Sequence, residues 1–421
     1  MSGRIASLVL TVLTIGTIGV VTGPAKPASL PPRSPVAARS IALATELLAP
    51  FTKGDATGSN TVLSPASLLL ALGLLQQGAE GETSRQLAKL TGVIDADTLR
   101  TELGRLMTLL TAVDPLGAVV TSANRVYLQK GFSIEPRFLE RTASLGAPAE
   151  FVDFQTDPRG ATDTINAWVS QQTKAKIPNL LGPLEPQTRS ALINALTLKA
   201  NWSRTFSPPV DSTFTTAKRE RKPVPTLSDT SRRQFAARSG WKAVSIEYLS
   251  SAGLRFIAVL PPQGVRPVPT PKVLDSLITN LRTSQVTLRL PTFSTGTTRG
   301  LNDDIRRLGA PAIFTFDADL SGIHRPTSCQ DHLYISLVVQ KAKIDLDERG
   351  TEAVAATAVV PALPASAEPI FDKRKASFIA DRPFFYVILG PDDFVLFAGV
   401  INDPSAPDAV SEDPSQEVLV C

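Results

Sequence analysis

Residues 348–357 of the chain have the sequence ERGTEAVAAT and directly follow an apolar run, 333–345, that predicts a β-strand. At the period-two spacing of a strand, one face of the segment is small and uncharged: Thr351, Ala353, Ala355 and Thr357. The charged Glu352 falls on the opposite face. A segment with such a face can enter between two existing strands without burying a charge. We therefore predict that this segment can become a strand of a sheet.

The next residues, 358–369, have the sequence AVVPALPASAEP. Prolines this frequent exclude a central strand and keep a segment extended and exposed. An exposed, extended chain is the form in which a protease binds its substrate. From these residues alone, a protease-sensitive loop and a plain surface loop are equally consistent.

The composition predicts one large domain with a sizeable core. The chain has 421 residues, of which 43% are hydrophobic and 19% charged. Helical patterns come early and strand patterns dominate late, which is typical of the α+β class. The net charge of +4 is spread along the chain without a dense basic block. We therefore expect no nucleic-acid surface.

Both ends of the chain differ in composition from its body. Arg4 precedes an uncharged apolar run, 5–21, and Gly23 and Ala25 have the spacing that a signal peptidase favours. We expect residues 1–25 to be a signal peptide of a secreted, extracellular protein; an uncleaved membrane anchor is the alternative. Beyond it we expect a Pro/Ala-rich linker over 26–39, a single domain over 40–404 and an acidic flexible tail over 405–421. No second stretch predicts stable membrane contact.

The two cysteines, Cys329 and Cys421, are too few to form a disulfide framework for a domain of this size. In an oxidising compartment they can form one bridge with each other. They can equally remain two free thiols, and the sequence leaves both alternatives open.

The sequence contains no catalytic constellation. His324 and His332 are its only histidines, and neither a Gly-x-Ser-x-Gly elbow nor a phosphate-binding loop is present. Asp331 and the two histidines form a loose group, but adjacent strand positions face opposite sides, so we expect surface or loop residues. The prediction is a protein that is not an enzyme and uses no metal or cofactor.

Residues 348–357 resemble the hinge of the serpins, whose pattern is Glu, any residue, Gly, Thr or Ser, and then small residues ending in Thr. Further segments resemble the same family in the same order: 60–67, 78–83, 123–127, 165–177, 194–206, 290–293, 308–309, 319–323 and 381–384. Each motif alone is modest, but their order is highly specific. The resemblance runs from about Ser40 to Pro404.

This resemblance implies an α+β fold with three β-sheets, about nine helices and an exposed reactive loop. In the family a serine protease cuts the loop and becomes acylated, and the loop then inserts into the large sheet and distorts the enzyme. The hinge residues implied here are Glu348, Gly350, Thr351, Ala353, Ala355, Ala356 and Thr357. The alternative is a non-inhibitory serpin that acts as a carrier, chaperone or binding protein, and a secreted hydrolase is a third, weaker alternative. The small residues of the hinge favour the inhibitor.

The resemblance also implies a polar cluster beneath the opening of the large sheet. Its members in this chain are Ser64, Ser67, Asn194, Gln340 and Trp202. The family usually has a His where this chain has Gln340. A Gln side chain both donates and accepts hydrogen bonds, but unlike His it cannot become charged at acid pH.

Family spacing places the reactive bond sixteen or seventeen residues past Glu348, at Pro364–Ala365 or Ala365–Ser366. Few serine proteases accept proline immediately before the cut bond, so we predict Ala365–Ser366, with Ala362–Leu363 as the backup. The partner predicted from this bond is a protease with a shallow, apolar primary pocket, elastase-like or subtilisin-like. We expect the inhibitor to be a monomer.

Overall fold

The structure is a computed structural model that describes residues 33–52, 59–351, 374–408 and 416–419. These residues contain eight α-helices: α1 (Pro35–Leu48), α2 (Pro65–Gln76), α3 (Gly81–Thr91), α4 (Ala96–Thr111), α5 (Pro136–Ser144), α6 (Pro158–Gln172), α7 (Pro271–Thr279) and α8 (Asn302–Leu308). Short 3-10 helices lie at Ala49–Thr52, Ala312–Phe314 and Pro391–Asp393. The described residues therefore contain eight α-helices, close to the expected number of about nine.

The same residues contain fifteen strands. They are β1 (Thr61–Leu63), β2 (Val119–Gln129), β3 (Glu150–Val152), β4 (Ser190–Asn201), β5 (Val210–Thr215), β6 (Arg221–Arg238), β7 (Trp241–Glu247), β8 (Arg255–Leu260), β9 (Arg282–Pro291), β10 (Phe293–Gly300), β11 (Leu337–Leu346), β12 (Gly350–Thr351), β13 (Lys375–Ile379), β14 (Phe384–Leu389) and β15 (Val395–Ile401). The fold is α+β, as predicted.

Several helices begin at a proline that follows an oxygen-bearing cap. In α2, the Ser64 side chain accepts a hydrogen bond from the Ser67 backbone N–H, and Pro65 occupies the first turn. All residues of α2 are buried, which fits a helix that is apolar on every side. The cap therefore fixes where the most deeply buried helix starts.

The strands form two hydrogen-bonded sheets instead of the three expected. The larger has the order β1-β15-β14-β8-β7-β6-β9-β13, with β5 paired to β6. The 18-residue strand β6 explains the difference. It pairs with β5 and β9 along most of its length and with β7 at its end, so one continuous strand joins two parts of the fold into one sheet.

The smaller sheet has the order β10-β11-β12-β4-β2-β3. Its inner face packs on the main core, whereas α6 covers its outer face with Ile165 and Val169, which cluster with Ile193 and Val339. Strands β4 and β11 also pair directly and in parallel, over 191–196 and 337–342. Strands β4 and β11 are therefore hydrogen-bonded directly to each other at one end, whereas β12 lies between them at the other end.

The structure corrects two expected boundaries. Helix α1 starts at Pro35, and Val36 and Ala37 are fully buried, so the linker expected over 26–39 does not extend through 35–39. In the expected flexible tail, the described residues 416–419 are docked on the domain. The expected signal peptide lies outside the described residues. None of the helices in the described ranges has both the length and the apolar character that a bilayer crossing needs.

Candidate functional site

The hinge enters the smaller sheet at Gly350 and Thr351, which form β12. These residues pair antiparallel with Asn201 and Ala200 of β4, and Thr351 also pairs with Leu346 of β11. Thr351 is 0% exposed, on the core face that the period-two pattern predicts. Its hydroxyl is hydrogen-bonded to the Tyr248 hydroxyl at 2.6 Å. Thr351, the first hinge residue whose side chain faces the core, is therefore already inserted.

A tight turn connects β11 to β12. The Asp347 carboxylate accepts hydrogen bonds from the backbone N–H groups of Arg349 at 2.8 Å and Gly350 at 3.0 Å. A Cβ atom at Gly350 would lie 2.1 Å from the Ala200 carbonyl oxygen. No real Cβ approaches an oxygen so closely, so glycine is required at this position. Glu348, on the same turn, accepts a hydrogen bond from the Phe206 N–H through its backbone carbonyl.

Trp202 anchors this turn from the end of β4. Its indole N–H donates to the Asp347 carbonyl at 2.9 Å, and its ring stacks on Tyr248 with centroids 4.4 Å apart. Burial raises the pKa of Tyr248, so its hydroxyl remains protonated and able to donate. Trp202 follows Asn194 by eight residues, about 26 Å along a strand. Its predicted place in the polar cluster is therefore wrong, and it belongs to the hinge.

The structure brings the other four predicted cluster residues together. The Gln340 side chain accepts from the Ser64 backbone N–H at 2.8 Å and donates to the Ser64 carbonyl at 2.9 Å. The Ser64 hydroxyl donates to the Leu396 carbonyl and accepts from the Ser67 N–H. Gln340 thus satisfies, as a neutral amide, a backbone pair at the start of α2.

Asn194 lies beside Gln340 in the register of β4 and β11. Its amide donates to the Val339 carbonyl at 3.4 Å, whereas its buried Oδ1 has no hydrogen-bond partner. An unsatisfied buried acceptor is costly, and this one lies where β4 and β11 pair directly.

Sequence reasoning missed Asn124 as a member of the cluster. Its Oδ1 accepts from the Ser67 hydroxyl at 2.8 Å, and it lies opposite Asn194 in the pairing of β2 with β4. The available signal was a polar side chain on the face of β2 that also carries the core residues Val120, Val126 and Leu128.

The predicted reactive-bond residues Ala362, Leu363, Pro364, Ala365 and Ser366 lie outside the described residues, as do the hinge residues Ala353, Ala355, Ala356 and Thr357. The description ends at Thr351 in the smaller sheet and resumes at Arg374. Strand β13 then pairs in parallel with β9 of the larger sheet. The segment that contains the predicted reactive bond therefore runs from the smaller sheet to the larger one.

The histidines do not form a metal site. His324 lies outside the named helices and strands, within the expectation of surface or loop residues, but it is buried: its Nδ1 lies 2.9 Å from the Ser133 carbonyl oxygen and its ring stacks on Phe132. Its Nε2 is 3.6 Å from the Asp331 carboxylate. Across the described ranges, no three His, Cys, Asp or Glu side chains are grouped to hold a metal ion.

Comparisons with known proteins agree with this geometry. A family model described as Serpin (serine protease inhibitor) matches residues 38–404. The chain is 30% identical to the leukocyte elastase inhibitor of Bos taurus over 389 residues, which cover 88% of this chain and 99% of that inhibitor.

Among solved structures, Serpin48 of the insect Tenebrio molitor is 30% identical, with a TM-score of 0.71 over 88% of this chain and 97% of that one. Human thyroxine-binding globulin complexed with its ligand gives a TM-score of 0.75 over 88% and 99%, at 24% identity. This last likeness shows the fold alone.

Proposed function

Because the chain belongs to the serpin family, which is described as serine protease inhibitors and not as enzymes, we propose that it traps a serine protease by inserting its cleaved loop between β4 and β11. The protease cuts the loop and remains attached as an acyl-enzyme. Insertion then carries the enzyme along the sheet before the acyl bond is hydrolysed.

One observation carries this proposal: β12 already lies between β4 and β11 and is antiparallel to both. Below it, β4 and β11 form a direct parallel ladder over 191–196 and 337–342. Lengthening β12 would replace this single parallel ladder by two antiparallel ladders, which are more stable per residue. The uncut fold is therefore the less stable arrangement, and cleavage frees the loop to leave it.

The observed register predicts where the loop residues would go. Thr351 pairs with Ala200 and Leu346, so each later loop residue meets an earlier residue of both strands. Ala353 would fall opposite Leu198 and Ile344, which are fully buried on the core face. The small alanine side chain fits there without displacing the core.

Two positions beyond Ala355, the same register places Thr357 opposite Asn194 and Gln340. The Asn194 Oδ1 lacks a partner in the uncut protein, and a threonine hydroxyl can donate to it. Insertion would then satisfy a buried acceptor that the native state leaves unpaired. This accounts for a threonine at the end of the run of small residues.

We propose an elastase-like or subtilisin-like target, cut from the inhibitor at Ala365–Ser366. Alanine before the bond fits a shallow, apolar primary pocket, and Pro364 before it keeps the segment extended. A relative at 30% identity is named for the inhibition of leukocyte elastase, which supports this class of enzyme. Ala362–Leu363 is the second choice of bond.

The test is incubation with pancreatic elastase, subtilisin and trypsin in parallel, followed by a denaturing gel and N-terminal sequencing of the released fragment. We expect a covalent complex with the first two enzymes and a fragment that starts at Ser366. A fragment that starts at Lys375 would mean that Arg374 is the bait, and it would refute the proposed target class.

The thermal stability of the cleaved protein should also distinguish an inhibitory serpin from a non-inhibitory one. If the loop inserts, the melting midpoint of the cut protein should exceed that of the intact protein by on the order of tens of degrees, because insertion adds a fully paired strand to the sheet. Equal midpoints would support a carrier or binding protein.

We further propose that residues 1–25 direct secretion and are removed. Mass spectrometry of the protein from the culture medium of a secreting host should give a mature N-terminus at Lys26. Retention of the full chain in the cell membrane would instead support the anchor.

A further inference from the structure

The C-terminal residues 416–419 dock at the end of β4 and β11 that lies opposite the hinge. On the β4 side, the Gln416 side-chain carbonyl accepts from the Glu185 N–H at 2.9 Å and from the Thr188 hydroxyl at 3.0 Å. Its amide donates to the Pro183 carbonyl at 2.9 Å. Gln416 thus binds three groups of the segment that leads into β4.

The next residues bind the segment that leads into β11. The Glu417 N–H donates to the Ser336 carbonyl at 2.8 Å, and its carboxylate forms an ion pair with Arg306. The Leu419 N–H donates to the Tyr334 hydroxyl at 3.1 Å, and the Leu419 side chain packs against the main core. Residues 416–419 therefore bridge the two segments; we call them the C-terminal clasp.

Beneath the clasp, the first residues of the two strands are joined directly. The Ser336 N–H donates to the Ser190 carbonyl at 3.2 Å, and the Ser190 hydroxyl donates to the Tyr334 carbonyl at 2.8 Å. The Arg189 N–H donates to the Ser336 hydroxyl at 2.9 Å. These bonds must break when β4 and β11 separate along their full length, and the clasp holds both sides of the same junction.

A covalent bond lies close to the clasp. Cys329 is disulfide-bonded, and the one other cysteine in the sequence is Cys421, two residues past Leu419 and outside the described residues. The bonded alternative for the cysteines is therefore the one that the structure favours.

The turn that carries Cys329 is itself held in place. The Asp331 carboxylate accepts from the backbone N–H groups of Thr327 and Ser328 and from both of their hydroxyls. The Thr327 N–H bond above all keeps the pKa of Asp331 well below its usual value. The attachment point thus remains ordered in mildly acidic solution.

We propose that the disulfide at Cys329 holds the C-terminal clasp across the β4–β11 junction, so that the clasp resists the last stage of loop insertion until the disulfide is reduced. The inference rests on the proposed function, because the register of β12 would bring Pro361 opposite Ser190 and Ser336. A dithiol supplies the two electrons and two protons that convert the disulfide into two thiols. The clasp then keeps only its non-covalent contacts.

Hydrogen exchange of the uncut full-length protein tests the clasp without a protease. Reduction with dithiothreitol should speed amide exchange at 334–337 at least tenfold and leave the amides of 197–201, at the hinge end, unchanged. Cys329→Ser should show the same pattern without reductant. Leu419→Asp should do so as well, whereas Val418→Asp, at a side chain that is 41% exposed, is the matched control and should not.

The fraction of cleaved inhibitor molecules that trap a protease tests whether the clasp slows loop insertion. With elastase, reduced protein and Cys329→Ser should trap a larger share than oxidised wild type, by at least twofold, because insertion finishes sooner. If neither reduction nor Cys329→Ser changes the amide exchange rates at 334–337, the proposed role of the C-terminal clasp is refuted. Equal trapping by oxidised and reduced protein would also refute it. If the exchange responds but no protease is trapped in any form, the proposed inhibitory function fails and the clasp contact stands.

Discussion

Replacing Thr351 by Arg tests the insertion mechanism at its first step. Thr351 is fully buried between β4 and β11 and hydrogen-bonded to Tyr248. An arginine at this position would place a charge against the core without a partner. Such a burial costs on the order of several kcal/mol. We therefore expect Thr351→Arg to keep the hinge out of the sheet.

The effect differs between the uncut and the inserted states. In the uncut protein, expulsion of β12 loses the Tyr248 bond and the pairing of two residues, roughly 2–4 kcal/mol at about 1 kcal/mol per hydrogen bond. In the cut protein the strand must then begin at Ala353, without the pairing that normally starts insertion. If the barrier rises by about 2–3 kcal/mol, insertion slows roughly 30-fold to 150-fold. Hydrolysis of the acyl-enzyme should then precede trapping.

The matched control is Glu352→Arg, which adds the same side chain one residue along. The register extended from Thr351 places position 352 between Lys199 and Asp345, whose side chains are partly exposed. An arginine there repels the lysine and attracts the aspartate, and exposed pairs contribute about 0–1 kcal/mol. Trapping by Glu352→Arg should therefore be close to wild type.

Both variants are compared on denaturing gels with one elastase-like protease. Thr351→Arg should give cleaved inhibitor and free enzyme, and Glu352→Arg should give covalent complex. Equal yields of complex from the two variants would refute both the assignment of the two faces and the insertion argument.

Three further substitutions test separate contacts. Gly350→Ala should also expel the hinge and raise protease cleavage there, since its Cβ would lie 2.1 Å from a backbone oxygen; unchanged limited proteolysis would contradict this. Gln340→Leu leaves the Ser64 N–H and carbonyl unpaired and should lower the free energy of unfolding by about 2–4 kcal/mol in a denaturant titration, whereas Gln340→His should retain part of it. Thr357→Val should lower the melting midpoint of the cut protein but not of the uncut one, because only the inserted loop can donate to Asn194, and Thr357→Ser should restore it.

Local patterns were sufficient to predict the fold class and the start of α2, whereas the place of Gln340 beside Ser64 was implied by the family resemblance. Ser64-Pro65 specifies a helix start through short-range bonds that any chain would form. A run of small residues after an apolar strand indicates a segment that can be buried. Neither signal depends on a distant part of the sequence.

The remaining features depend on contacts that a one-dimensional pattern does not contain. The merging of two sheets through β6 follows from pairing partners on both sides of one long strand. The tail residues Gln416 and Glu417 are polar and resemble a solvated terminus. They nevertheless dock on the domain, because hydrogen-bonding groups at 183–188 and 334–336 bind them. The prediction that Trp202 belongs to the polar cluster was wrong for a similar reason. Trp202 and Asn194 both lie in the segment 194–206 that resembles the family, but the length of β4 separates them in space.

The positions of these contacts indicate where insertion meets its resistance. At the hinge end, β12 already separates the strands. In the middle, Gln340 binds Ser64 rather than Asn194, so the side-chain bond that crosses the junction there is the long one from Asn194 to Val339, at 3.4 Å. At the far end, by contrast, several shorter bonds and residues 416–419 hold the strands together. On the proposed mechanism, beyond the β4–β11 backbone ladder, the side-chain and clasp contacts that insertion must break are therefore met late, when the acyl-enzyme would already have been carried most of the way and would have had the longest time to hydrolyse.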